Sequence, residues 1–202
     1  MKFFSPDSKF AQVMTSVGEM MLLNACWILA SLPLVTLGAA STAMYTILGR
    51  RLRQEGSGTI VPFFKAWRSN LKTASLFFLA QVFVTCSLGM IQFLPLPAFL
   101  KLVAAILLVL VSLVFSIIYP QIARFRNRWL AYLKNALILL ISKFGWVLLH
   151  FLLRLSPLLF FLIAPVDFLR FGFIWLLFGF SGLFYLSARI MRKVLLPLEN
   201  MR

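Results

Sequence analysis

Residues 22–74 read LLNACWILASLPLVTLGAASTAMYTILGRRLRQEGSGTIVPFFKAWRSNLKTA. No charge interrupts the chain from Met20 to Gly49, and Arg50, Arg51 and Arg53 follow at once. Thirty uncharged residues would extend about 45 Å as a straight helix, at about 1.5 Å per residue, whereas a bilayer core is about 30 Å thick. Pro33 removes a backbone donor and breaks or kinks a helix, and Gly38 adds a second weak point. The stretch therefore holds either one broken span or a tight hairpin of two short ones. A hairpin would have to recruit residues from Phe10 onward and would bury Glu19. We read one broken span, about residues 20–48, running into a basic cytoplasmic surface.

The composition places the rest of the chain in the same setting. Of 202 residues, 62% are hydrophobic and only 12% charged, and the mean hydropathy is +0.97. A soluble domain of this length has too little interior to hide so much apolar surface. The fold class expected is all-α: a polytopic helical membrane protein with about five transmembrane helices plus interfacial amphipathic helices, forming one domain over 1–202.

The net charge of +15 would point to nucleic acid in a soluble protein. Here the basic residues cluster between apolar runs, as the positive-inside rule requires, so no nucleic-acid partner is expected. Fifteen of the twenty Lys and Arg fall in three segments: six from Arg50 to Lys72, five from Arg124 to Lys143 and four at the tail. With spans at about 20–48, 73–94, 98–119, 144–164 and 168–188, this bias puts the N-terminus outside and the C-terminus in the cytoplasm. The small residues Gly38–Ser41 resemble a signal-peptide cleavage site, but the apolar run is too long and is preceded by acidic Glu19. The run is expected to remain as a span.

Further landmarks follow in order. Ser8 can cap a helix on which Phe10, Met14, Val17 and Met21 recur at helical spacing. Gly56-Ser57-Gly58 signals a turn. Phe63, Phe64, Trp67 and Leu71 then form an apolar stripe with Lys65, Arg68 and Lys72 between them, an amphipathic helix expected in the interface. Its two readings are contact with anionic lipids and a docking face for a partner protein built on Phe63, Phe64, Trp67, Arg68 and Lys72. Pro120 closes the third span at Tyr119. Residues 130–142 either begin the fourth span or form a short interfacial helix before it, and Lys143 favours the second.

The segment resembles the YesL family of small bacterial integral membrane proteins, a family of unknown function. The resemblance is carried by Asn24, Trp27, the Ser31-Leu32-Pro33 to Thr36-Leu37-Gly38 break, Ala43, Tyr45, and the Phe63-Phe64-Lys65-Ala66-Trp67 to Asn70-Leu71-Lys72 block. The specific signal covers the first third of the chain. It implies a bacterial cytoplasmic membrane protein with a setting in carbohydrate uptake, and partners among sugar ABC importer subunits or other membrane proteins. It brings no catalytic or binding residues with it. The EAA-type loop by which importer permeases engage their ATPases is absent, so the chain does not read as a permease.

Little in the sequence carries enzyme chemistry. It has no HExxH, Walker or DxD motif, and its five acids give paired-carboxylate catalysis scant material. Cys26 and Cys86 lie in apolar runs without a nearby His, so neither metal nor redox work is expected. Gly179-Phe180-Ser181-Gly182 resembles the GxSG motif of rhomboid proteases. The single histidine, His150, precedes that serine, opposite to the rhomboid order, and close helix packing at Gly172, Gly179, Ser181 and Gly182 is the simpler reading. No catalytic, cofactor or metal residue is assigned, and a non-enzymatic accessory or regulatory protein is the leading reading.

The alternative, a stand-alone small-solute transporter or channel, needs a polar path. His150 and Arg154 are the candidates: four residues apart, they share a helix face, with Lys143 seven residues before His150. Arg in mid-membrane costs at least about 2.5–3.5 kcal/mol on insertion scales. Either these residues line a polar pathway or anion site, or Arg154 snorkels to the outer face or pairs with Asp167 or Glu19. The second reading is favoured, because Arg154 lies near a span end if that span starts early. Asn24, Gln81 and Gln92 read as residues that glue helices together.

Overall fold

The computed structural model describes residues 9–55 and 58–200, with the side chains of residues 9 and 197–200 outside the description. The cap at Ser8 and the Gly56–Ser57 part of the turn signal also lie outside it. The described chain is a helical bundle: α1 Lys9–Ser31, α2 Leu37–Leu52, α3 Ile60–Met90, α4 Ala98–Arg124, α5 Trp129–Ser142, α6 Phe144–Ile163, α7 Pro165–Arg170, α8 Gly172–Ile174, a π-helical turn Trp175–Gly179, and α9 Phe180–Asn200. Among the described residues, five segments are long and apolar enough to cross a membrane: Phe10–Ser31, Ile60–Phe93, Ala98–Arg124, Phe144–Ile163 and Gly172–Leu196. Large apolar side chains such as Phe93, Ile141 and Ile163 stand on the outer surface, where a multi-pass protein meets acyl chains.

The apolar run 20–48 is not one broken span. It folds as a hairpin: α1 runs one way, the chain turns at Pro33, and α2 returns antiparallel, so that Arg51 near its end reaches Glu19 at 3.2 Å. Glu19 does not forbid this arrangement, because its charge has a partner. Pro33 stops α1, and Thr36 holds the turn by donating its hydroxyl to the carbonyls of Ala30 and Pro33, each at 2.7 Å. With 16 residues α2 is about 24 Å long. It is nonetheless the buried centre of the bundle, with residues 38–45, Ile47 and Leu48 all enclosed. The small residues Gly38, Ala39, Ala40, Ser41 and Ala43 let neighbouring helices approach closely. A Cβ on Gly38 would collide with the carbonyl oxygen of Ala74 and with Phe78 on α3.

Three further boundaries differ from the sequence reading. The amphipathic segment Phe63–Lys72 and the span expected at 73–94 are one continuous helix, α3, because no glycine or proline separates them and Pro62 sits in the first turn where it is tolerated. The span expected to end at Tyr119 continues through Pro120 to Arg124. The span expected at 168–188 is shifted along the chain: α7 precedes it, and one helical run, Gly172–Leu196, passes through the π turn and on past Arg189, Arg192 and Lys193. The expected 144–164 span agrees closely with α6, and α5 is a separate short helix ending at Lys143. Trp129 and Tyr132 of α5 pack on Phe77 of α3 at ring distances of 4.3 and 5.9 Å.

The hairpin bears on sidedness. Glu19 of α1 sits beside Arg51, and Arg192 of α9 donates to the carbonyl of Leu52 at 3.1 Å. The outer ends of the first and last helices therefore lie together at one end of the bundle, with Arg50, Arg51 and Arg53. If α2 serves as a return crossing, the two termini share one side of the membrane; the reading that put them on opposite sides counts residues 20–48 as a single crossing.

Candidate functional site

Pro120, Pro157 and a π turn free backbone carbonyls inside this bundle, and at these three places a side chain answers them. Pro120 has no N–H, so the carbonyl of Ser116, four residues earlier, loses its helical donor. His150 Nε2 lies 3.1 Å from that oxygen. Pro157 frees the carbonyl of Leu153 in the same way, and Ser156 donates its hydroxyl to it at 2.8 Å. At the π turn, fully buried Asn24 donates to the carbonyls of Trp175 (3.0 Å) and Leu176 (2.6 Å) and accepts from the backbone N–H of Ser181 (2.9 Å). Trp27, three residues on, packs its ring on Phe180 and Phe184. Asn24, Trp27, Pro33, Thr36 and Gly38 thus build the hairpin and clamp the last helix to it. Asn24 glues helices as the sequence reading held, and so does Gln81, which accepts from the Tyr119 hydroxyl at 2.6 Å.

His150 is fully buried, and a short hydrogen-bonded chain runs from it. Its Nδ1 is 2.7 Å from Ser187 Oγ, which is 2.6 Å from Tyr45 Oη. A carbonyl only accepts, so Nε2 carries the proton towards Ser116. In the neutral ring Nδ1 then accepts from Ser187, and Ser187 accepts from Tyr45. The order of protons along the chain is fixed by the one carbonyl at its end.

Arg154 is the eleventh of the twenty residues of α6, so it sits at mid-helix rather than near a span end. Neither acid proposed as its partner is available: Glu19 pairs with Arg51, and Asp167 with Arg170 at 3.4 Å. Among the described residues no carboxylate lies within 4 Å of Arg154. Its guanidinium carbon lies 5.2 Å from the Phe184 ring centre, 5.7 Å from Tyr119 and 6.0 Å from Tyr45. These are cation–π distances; they hold the cation but leave its charge uncompensated. The group faces a cavity of about 210 Å³ between α2, α3, α4 and α6. Ser41, Gln81, Ser112, Ser116 and Tyr119 supply polar groups to its wall, and Phe78 and Phe151 supply aromatic ones. An uncompensated guanidinium, hydroxyls and ring faces around a small cavity can hold an anion that also carries hydroxyls.

Other expected site residues fall elsewhere. Phe63 is fully buried and Trp67 half-buried against the core, so neither offers a docking face. Phe64, Lys65, Arg68 and Lys72 are exposed. A groove of about 520 Å³ at the basic end is lined by Arg50, Lys65, Arg124 and Arg126, with Ser69 and Asn70. Ser181 donates its hydroxyl to the carbonyl of Phe178, while His150 bonds Ser187. Close helix approach does not explain Gly172 or Gly182, where a Cβ would meet nothing within 4 Å, and Gly179 is crowded only by the Trp175 ring of its own turn. Cys26 is inside the bundle and Cys86 on its surface. Among the described residues no cluster of His, Cys, Asp or Glu is suited to a metal. Tyr45, Ser187, Tyr119 and Ser116 are the site residues that sequence reasoning missed. Only the spacing from Pro120 to Ser116 offered a local signal.

Residues 20–92 match a family described as a protein of unknown function, DUF624. The match covers the second half of α1, all of α2 and α3, and includes the Asn24 to Gly38 hairpin residues. It stops before α4, so Ser116, His150, Arg154 and Ser187 lie beyond it. No curated protein and no solved structure matches the chain. The protein is a multi-pass helical membrane protein with a segment similar to an uncharacterised family.

Proposed function

We propose that this is a non-enzymatic membrane protein whose working site is the Arg154 cavity, and that it binds a small hydroxylated anion there. The observation that carries the reading is the mid-helix guanidinium without a carboxylate partner, facing a polar cavity. Arg154 is half-buried at mid-helix, and a charge at membrane depth is paired or answered by a ligand or water, because an uncompensated one is costly. The resemblance to the YesL family makes carbohydrate uptake in a bacterial cytoplasmic membrane the setting we infer. Of the two roles compatible with this site, a small-solute transporter gains more from the geometry than an accessory protein does.

Gluconate tests the reading, with sorbitol as its neutral counterpart of equal carbon number. Titrated into protein held in lipid nanodiscs, gluconate is expected to bind and sorbitol not to. Arg154→Gln should abolish gluconate binding while the protein stays monodisperse. Equal binding of both compounds, or binding retained by Arg154→Gln, would overturn the reading. Flux of gluconate into proteoliposomes would mark a transporter; binding without flux would mark an accessory or sensing role.

The accessory role has its own observation: Phe64, Lys65, Arg68 and Lys72 are exposed along the first turns of α3. Sugar-importer subunits are the partner we infer for this face, and anionic lipid headgroups the occupant of the neighbouring basic groove. Intact-complex mass spectrometry after gentle extraction would test both. Loss of an importer subunit on Phe64→Ala with Arg68→Ala supports docking; retention removes it.

A further inference from the structure

We propose that His150 is a proton acceptor coupled to the Arg154 cavity, so that an anion and one proton bind together, the proton arriving through Tyr45 and Ser187. The inference rests on the anion reading above and adds a second, linked ligand to it.

The geometry supplies a route. Tyr45 and Thr46, with Arg53, Arg124 and Arg192, line a cavity of about 40 Å³ at the basic end, which is room for water. From Tyr45 the chain of hydroxyls runs to Ser187 and on to His150 in steps of 2.6 and 2.7 Å. A proton entering from that cavity goes onto the Tyr45 oxygen. Tyr45 passes its own proton to Ser187, and Ser187 passes its proton to Nδ1. Each hydroxyl ends with one proton and His150 ends with two N–H groups. The Nε2–H to Ser116 bond stays in place throughout, because it is made in both ring states.

Charge supplies the coupling. Arg154 is one helical turn from His150 on the same face. The ionisable groups that meet this pair are Tyr45 from α2 and Tyr119 from α4; α9 contributes the Ser187 hydroxyl. None of them is a carboxylate. With the cavity empty, a proton on His150 would make a second cation beside an uncompensated first. With an anion against Arg154 that repulsion is offset, and the proton costs less. By linkage the effect is reciprocal: protonation must tighten the anion by the same factor.

The test uses the intact protein in nanodiscs with gluconate, which like other carboxylates titrates near pH 4 and keeps its charge from pH 5.5 to 8. In wild type the affinity should rise at least about fivefold as pH falls across this range. His150→Gln keeps an N–H for the Ser116 carbonyl but takes up no proton; its affinity should be flat with pH. A weakly buffered solution with a pH dye should report proton uptake on gluconate binding by wild type, of the size that the pH slope of its affinity requires, a reading that needs no variant. A pH-independent wild type without proton uptake would overturn the coupling and leave the anion site standing. A pH slope retained in a folded His150→Gln would overturn His150 as the acceptor. Absence of gluconate binding at every pH would overturn the anion reading, and the coupling with it.

Discussion

His150 Nε2 stands 3.1 Å from the carbonyl oxygen of Ser116, the oxygen that Pro120 leaves without its helical donor. The proline and the histidine are 30 residues apart and on different helices, yet each explains the other. A proline inside a bundle helix leaves a polar gap, and the histidine fills it.

That pairing has a thermodynamic signature. His150→Leu should cost about 1–3 kcal/mol, the penalty for a buried acceptor left unmade. His150→Gln should cost clearly less. In a Pro120→Ala background the carbonyl regains a backbone donor, so the cost of His150→Leu should shrink. Thermal unfolding in one detergent across this double-mutant cycle gives the coupling; additive losses would disprove it.

Asn24 makes three bonds to the backbone around the π turn, two as donor and one as acceptor. Asn24→Asp keeps the acceptor and loses both donors, and brings a carboxylate against two carbonyls. It should destabilise more than Asn24→Ser, and by at least about 2 kcal/mol given two orphaned acceptors. Melting curves of the two variants decide the order.

Gly38 and Gly182 separate close packing from free surface. Gly38→Ala should destabilise by about 1–3 kcal/mol, because its new methyl meets the Ala74 carbonyl and Phe78. Gly182→Ala should be neutral or stabilising by up to about 1 kcal/mol, since alanine is the better helix former and the space is open. A larger loss at Gly182 than at Gly38 would contradict the packing described.

Sidedness is checked without reference to stability. A reporter fused before Met1 and one fused after Arg202 should read from the same side of the membrane. One inserted between Leu94 and Pro97 should read from the other. Opposite readings from the two termini would restore a single crossing for residues 20–48.

The local grammar of the chain was open to reading. Pro33 stops a helix, Lys143 separates α5 from α6, and the apolar runs mark the crossings, because each depends on neighbours within a few residues. What escaped was long-range. Glu19 looked too costly to draw into a bundle, since its partner Arg51 lies 32 positions away and only a hairpin joins them. Pro120 read as an ending because nothing nearby could satisfy Ser116; the donor comes from α6. Arg154 was placed near a span end and given Asp167 or Glu19, but both acids are taken by nearer or better-placed arginines. Ser187 is an ordinary small residue in an apolar helix until His150 and Tyr45 are brought to either side of it.

The mid-helix position of Arg154 has an electrical consequence. An anion reaching it from either face crosses about half of the membrane voltage. A full crossing changes the energy of one charge by about 2.3 kcal/mol per 100 mV, so binding of the proposed anion alone would shift by about 1 kcal/mol for the same voltage, and a proton taken up with it from the same face would cancel that shift. The response of binding to membrane voltage would thereby tell an anion that enters alone from one that enters with its proton.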